Sequence, residues 1–100
     1  MTHTNTAVDE LSDGNYVSRV VDVDITSLDN AASEDFDPVA ELGFRDVFGG
    51  VVLQAENPGA YQFNIAQDND ISVQNADGTD PTAGTDVGVV RVKWQGNRGP

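Results

Sequence analysis

Residues 87–96 read VGVVRVKWQG, and this stretch decides the fold class. Val90, Val92 and Trp94 alternate with Arg91 and Lys93, so apolar side chains share one face of an extended chain and charged side chains share the other. An alternation of period two predicts a half-buried β-strand, and β-branched and aromatic residues favour it. We expect Trp94 to lie in the core, with its indole N–H reaching a carbonyl or water at the rim.

The same period recurs upstream, in several short segments separated by Gly, Pro, Asn and Asp. In residues 16–25 the apolar face predicted for a strand is Val17, Val21, Val23 and Ile25. Residues 47–55 and 61–65 flank Asn57-Pro58-Gly59, which predicts a hairpin with Val51, Leu53 and Ala55 on the core face of its first strand. Residues 71–74 add another short strand.

One short helical turn is predicted between these strands. Asp37 suits the N-cap, Pro38 the first helical position and Gly43 the residue after the last turn. Five or six short strands with turn residues between them predict an all-β fold, a small antiparallel β-sandwich of jelly-roll-like or Greek-key type. We expect residues 1–14 to form a flexible polar N-terminal arm, residues 15–96 the β-sandwich domain and residues 97–100 a C-terminal tail.

Charge narrows the possible partners. The chain carries 17 acidic and 5 basic residues, a net charge of -12, which repels phosphates and argues against nucleic-acid binding. Such a surface suits molar salt, where charge repulsion is screened, although a generic acidic domain is the alternative. No apolar run is long enough to span a membrane. The polar N-terminus lacks the features of a signal peptide, which predicts a protein made in the cytoplasm without a cleaved leader.

The side chains available argue against an enzyme. The chain has no cysteine, and its one histidine, His3, is expected to be a solvated residue of the arm. Paired carboxylates are plentiful but fall in polar loops, so a hydrolase ranks last among the possible functions. We expect no cofactor, with weak Ca²⁺ or Mg²⁺ binding as a possibility at two Asp-rich loops that contain Asp68, Asp70, Asp77 and Asp80.

The order of motifs along residues 21–96 resembles a known group of proteins. The motifs are VDVDITSLDNA, FDPVAELGFRDVFGGVVL, GAYQFNIAQ, NDISVQ and GTDVGVVRVKWQG. The chain resembles the small head decoration or turret proteins of tailed viruses of halophilic archaea and related phages. The resemblance implies a structural component of the virion head, assembled in the host cytoplasm, whose partners are the major capsid protein and further copies of itself.

The residues expected to contact a partner depend on which of two functions the chain has. For a capsid-associated protein, the candidate interaction residues are Phe44 and Phe48, together with the arm or an edge strand. The alternative is a β-sandwich module that recognises a host surface or a carbohydrate, with Tyr16, Tyr61 or Trp94 as the stacking residue.

We predict that the free energy of unfolding rises with salt. A net charge of -12 destabilises a small core at low ionic strength, and at about 1 M salt the Debye length falls to about 3 Å. Denaturant unfolding followed by circular dichroism, in dilute and in molar KCl, measures the effect. Sucrose in place of KCl is the control, since it strengthens burial without screening charge. Equal stability in dilute and molar KCl would contradict the prediction.

Overall fold

The computed structural model describes residues 2–99. Its elements are β1 (His3–Asp13), β2 (Tyr16–Ile25), β3 (Ser33–Glu34), α1 (Pro38–Leu42), β4 (Phe44–Ala55), β5 (Tyr61–Ile65), β6 (Ile71–Asn75) and β7 (Gly88–Arg98). One sheet has the strand order β1-β2-β7-β4 and the other has the order β3-β6-β5. Every pairing is antiparallel, which confirms the prediction of a small all-β sandwich with one short helical turn.

The core lies between the two sheets. The apolar faces predicted for β2 and β7 are correct, since Val21, Val23, Val90 and Val92 are buried there. They form one cluster with Ile71 and Val73 of β6, and the cluster also contains Val17, Ile25, Leu28, Phe36, Phe44, Val87 and Trp94. Strand alternation on both sheets therefore builds a single core.

Trp94 is fully buried, as the sequence predicts. Nε1 is buried without a hydrogen-bond partner among residues 2–99. Gly50 is opposite Trp94 on β4, and a Cβ atom at Gly50 would lie 2.6 Å from Trp94 Cε3. The indole therefore depends on the absence of a side chain at this position.

Helix α1 forms where its capping residues predict it. Asp37 Oδ1 accepts the N–H groups of Val39 and Ala40, at 3.1 and 3.2 Å, and Pro38 occupies the first turn. Gly43 ends the helix with φ of 77°, a left-handed conformation that favours glycine. The helix carries the chain from the three-stranded sheet back to β4.

The flexible arm predicted for residues 1–14 is wrong for residues 3–13, which form β1. This strand pairs with β2 from His3 opposite Ile25 to Asp13 opposite Tyr16. Because β1 is an edge strand with mostly exposed side chains, its sequence shows almost no apolar alternation. The predicted tail is also shorter, since Asn97 and Arg98 continue β7; Met1 and Pro100 lie outside the described residues.

The predicted hairpin around Asn57-Pro58-Gly59 is wrong. β4 pairs with β7 in the four-stranded sheet and β5 pairs with β6 in the three-stranded sheet, so the turn connects the two layers. The predicted core face of β4 is correct for Ala55, which lies opposite the buried Val90, but wrong for Val51 and Leu53. Register shifts place Val52 opposite Val92 on the inner face, while Val51 and Leu53 are exposed. Each extra residue in a bulge reverses the alternation beyond it.

We predict that Gly50→Ala lowers the free energy of unfolding by about 1–3 kcal/mol, because the added methyl group forces the buried indole to move. Gly59→Ala is the matched control, since a Cβ atom there meets nothing within 4 Å. Urea unfolding in molar KCl, followed by Trp94 fluorescence, measures both. Coincident curves for the two variants would show that the indole does not rest against Gly50.

Candidate functional site

An exposed apolar patch crosses the outer face of the four-stranded sheet. Phe48, Val51 and Leu53 of β4 are 65%, 53% and 50% exposed, and Leu11 of β1 is 70% exposed. Tyr16 of β2 completes the set, with its ring stacked on Phe48 at a centroid distance of 6.4 Å. We call these five residues the outer apolar patch. Contiguous exposed apolar surface of this kind marks an interaction site in soluble proteins.

Strand register brings the patch together. Val20 of β2 and Val51 of β4 both pair with Lys93 of β7, whose neighbours Val92 and Trp94 point into the core. Val20, Val51 and Lys93 therefore point outward side by side. Leu53 lines a depression of about 310 Å³ with Leu11, Val20 and Lys93, which places it on the same face. The patch thus has members on β1, β2 and β4, and Lys93 of β7 lies between them.

Charged side chains lie within and around the outer apolar patch. Lys93 lies within the patch and forms no salt bridge with any residue from 2 to 99. On the same strand, Arg91 Nε donates to Asp22 Oδ1 at 2.8 Å, and this hydrogen bond holds the pKa of Asp22 below its usual value. Asp9 and Asp13 of β1 and Asp46 of β4 are also exposed. The patch is therefore apolar with one lysine, and exposed acids on β1 and β4 lie near it together with exposed Arg45.

A second cluster of functional side chains lies on the opposite side of the same sheet, at the start of β1. His3 Nδ1 contacts the carboxylate of Glu34 on β3, and His3 Nε2 lies 2.6 Å from Glu41 Oε1 on α1. The Asp29 carboxylate, in the loop after β2, completes a group with His3 and Glu34 whose ligand atoms lie within 4.8 Å of one another. We call His3, Asp29, Glu34 and Glu41 the His3 cluster.

The His3 cluster is fixed to the core by aromatic stacking. The His3 ring stacks on Phe36 with a centroid distance of 5.3 Å, and Phe36 stacks on Trp94 at 5.1 Å. Glu34 is fully buried, which for a carboxylate requires a compensating charge or hydrogen bonds. It receives these from His3, from the Thr2 hydroxyl and from the Asp29 N–H, the last at 2.8 Å.

The position between two carboxylates sets the protonation of His3. Burial by itself lowers the pKa of this imidazole, but hydrogen bonds and charge attraction from Glu34 and Glu41 outweigh that effect. The pKa of His3 therefore lies above the usual 6.5. A protonated ring donates from both nitrogens, which matches a carboxylate on each side.

The two Asp-rich loops predicted as possible cation sites lie at opposite ends of β6. Asp68 and Asp70 lie in the turn before β6, and Asp77 and Asp80 follow β6 at its other end. Asp77 Oδ1 accepts the N–H and the hydroxyl of Thr79, which lowers the pKa of Asp77.

Asp68 and Asp70 are likewise engaged in local hydrogen bonds. Asp68 Oδ1 accepts the Asp70 N–H at 3.1 Å. Asp70 Oδ1 accepts the Phe36 N–H at 3.1 Å. These contacts shape turns and loops, as aspartates commonly do.

The predicted interaction and stacking residues divide between the core and the surface. Phe44 is buried beneath the Arg19 guanidinium, so its prediction as an exposed contact is wrong. Phe48 is exposed, as predicted, and Tyr16 lies beside it. Tyr61 packs against the core, and Trp94 belongs to it. The prediction that His3 is a solvated residue is wrong, because β1 carries it into the core region.

Comparison with protein-family models, curated proteins and solved structures gives no match for this chain. The resemblance to viral head proteins therefore stays a prediction from the motifs. Among residues 2–99, no helix is long and apolar enough to cross a membrane. The outer apolar patch and the His3 cluster are the two features of the structure that bear on function.

We predict that the free energy of unfolding falls as the pH rises through the folded-state pKa of His3. Because that pKa is raised, the folded chain holds a proton that the unfolded chain releases near pH 6.5. The stabilisation is complete below pH 6.5 and is lost once the pH exceeds the folded-state value. Urea unfolding across this range measures it.

His3→Gln provides the control for this pH dependence, because the chain contains no other histidine. The free energy of unfolding of His3→Gln should stay nearly constant over the pH range in which that of the parent falls. A parent whose stability is constant or rises over the same pH interval would contradict the assignment of a protonated His3 between Glu34 and Glu41.

Proposed function

We propose that this chain is a non-catalytic docking module that binds a larger protein surface through the outer apolar patch. The observation that carries the proposal is that exposed Leu11 of β1, Tyr16 of β2, and Phe48, Val51 and Leu53 of β4 share one face of the sheet, on either side of Lys93 of β7. Strands lie about 4.8 Å apart, so a patch that reaches from β1 to β4 spans roughly 15 Å. Burial of these side chains by a partner would remove a large apolar area from water.

Charge identifies the kind of partner. Two copies of this chain, face to face, would bring together the exposed acids of β1, Asp9 and Asp13, on molecules that each carry a net charge of -12. Like charges placed together across an interface cost several kcal/mol. We therefore propose a different protein with an apolar centre and a neutral or basic border. An acceptor opposite Lys93 would complete the contact.

The resemblance of the sequence motifs supports one such partner, the major capsid protein of a tailed virus of a halophilic archaeon. In this proposal the chain is a decoration or turret component of the virion head. Its rigid sandwich caps capsid subunits, and many copies on one particle multiply a modest individual affinity. At about 1 M salt the Debye length is about 3 Å, so neighbouring copies that do not touch would hardly repel one another.

A second candidate function rests on the Tyr16–Phe48 pair. The two rings are exposed, and their planes are inclined by 25°, which gives a short aromatic platform. Exposed aromatic faces can stack on sugar rings, and the Asn97 amide lies opposite Tyr16, with its Nδ2 donating to Asp46 Oδ1 at 2.7 Å. This arrangement favours carbohydrate recognition as the alternative to a protein partner.

We predict that Phe48→Asp and Leu53→Asp each weaken binding to purified capsids by about 30-fold or more, since hot-spot residues contribute at least about 2 kcal/mol. Both side chains are at least half exposed, so the free energy of unfolding should change by only about 0.5 kcal/mol. Cosedimentation of the chain with undecorated capsids in molar KCl gives the affinity. Val39→Asp is the matched control, because Val39 is an exposed valine on α1, outside the patch.

The outcomes separate the two functions. Capsid binding that survives both Asp substitutions would show that the outer apolar patch is not the interface. No capsid binding by the parent chain would overturn the proposed partner. A glycan array then tests the alternative: glycan binding that is lost in Tyr16→Ala and Phe48→Ala, but kept in Leu53→Asp, would establish carbohydrate recognition.

A further inference from the structure

We propose that His3, Asp29 and Glu34 form a binding site for a divalent transition-metal ion of the Zn²⁺ type. One nitrogen of His3 and one carboxylate oxygen each from Asp29 and Glu34 lie within 4.8 Å of one another. Ligands at about 2.0–2.2 Å around a tetrahedral ion lie roughly 3.4 Å apart. The three side chains therefore need only a small adjustment, in which an ion replaces the proton between His3 and Glu34.

The surroundings of His3 match those of a metal-binding histidine. Nδ1 faces Glu34, and Nε2 lies 2.6 Å from Glu41 Oε1 on the other side of the ring. A histidine that binds a metal through one nitrogen usually donates its other N–H to a carboxylate, which fixes the ring and its tautomer. Glu41 is itself held, since its Oε2 accepts the Asp37 N–H at 3.0 Å.

The two carboxylate ligands are also oriented by backbone groups. Glu34 Oε1 accepts the Asp29 N–H at 2.8 Å, which leaves Oε2 directed at His3. Asp29 Oδ2 accepts the Asp35 N–H at 3.2 Å. Hydrogen bonds of this kind, outside the ligands themselves, hold a metal site in shape.

The balance of charge in the His3 cluster favours an ion with two positive charges. Asp29, Glu34 and Glu41 supply three carboxylates around one imidazole, and Glu34 is fully buried. A proton on His3 offsets only one of these negative charges. A divalent ion offsets two, and it does so next to Glu34, where an uncompensated charge is most costly.

The ligand types select the ion. Ca²⁺ and Mg²⁺ prefer six or more oxygen ligands, whereas an imidazole nitrogen with two carboxylates suits Zn²⁺ and its neighbours in the transition series. The ion would connect the start of β1, the loop after β2 and β3. It would therefore link the two sheets, as a structural ion does, with water completing its coordination.

Zinc binding to the intact chain tests the proposal. Isothermal titration in molar KCl, which screens weak attraction to the acidic surface, should show one Zn²⁺ ion per chain and a higher unfolding temperature. Repeating the titration in buffers of different ionisation enthalpy should reveal proton release on binding, because the metal needs a deprotonated ring nitrogen. Ca²⁺ and Mg²⁺ should give neither the stoichiometric site nor the thermal shift.

Substitutions locate the site. His3→Gln and Glu34→Gln should each weaken Zn²⁺ binding by at least 10-fold, in the range found when metal-site residues are changed. The double variant Asp68→Asn, Asp77→Asn removes two exposed carboxylates elsewhere and should bind Zn²⁺ like the parent. Equal affinity in all four proteins, or binding lost only in the double variant, would overturn the assignment.

A measurement on the parent chain covers the case in which His3→Gln or Glu34→Gln fails to fold. X-ray absorption of the Zn²⁺-loaded protein should show the scattering pattern of one imidazole ligand, and His3 is the only histidine in the sequence. A spectrum with oxygen ligands alone would overturn the site, as would the absence of stoichiometric binding by the parent.

Discussion

Trp94 occupies the space between the sheets opposite Gly50, whose missing side chain admits the indole. Phe36 stacks on Trp94, and His3 stacks on Phe36, so one column of rings runs from the centre of β7 to the start of β1. This column positions both functional features. It holds His3 among the carboxylates, and it fixes the inner face of β7, so that Lys93 and its neighbours must point outward.

The sequence predicted those elements whose structure is decided locally. The strands β2 and β7 have one buried face each, and helix α1 has its capping residues within seven positions of one another. β1 could not be predicted in this way, because its side chains beyond His3 are exposed on both faces and only the pairing with β2 makes it a strand. The bulges of β4 hid its register, since alternation alone places Val51 and Leu53 in the core.

The candidate site was only partly visible in the sequence, for a related reason. Phe48 could be singled out as an exposed aromatic residue, but its proximity to Tyr16 depends on pairings through β7. His3 and Glu34 are 31 residues apart, and they meet only after β1 has joined the four-stranded sheet. The aspartates that are close in sequence lie in two turns. The carboxylates that converge in the structure, Asp29 and Glu34, come from separate elements.

The central place of β7 has a consequence for how the chain acquires its shape. Val92 of β7 pairs with Val21 of β2 on one side and with Val52 of β4 on the other. The four-stranded sheet therefore cannot form before β7 has been synthesised. Contacts between residues so distant in sequence make folding slow. During that delay β2 and β4 each offer an unpaired edge to other chains, which exposes the folding protein to aggregation.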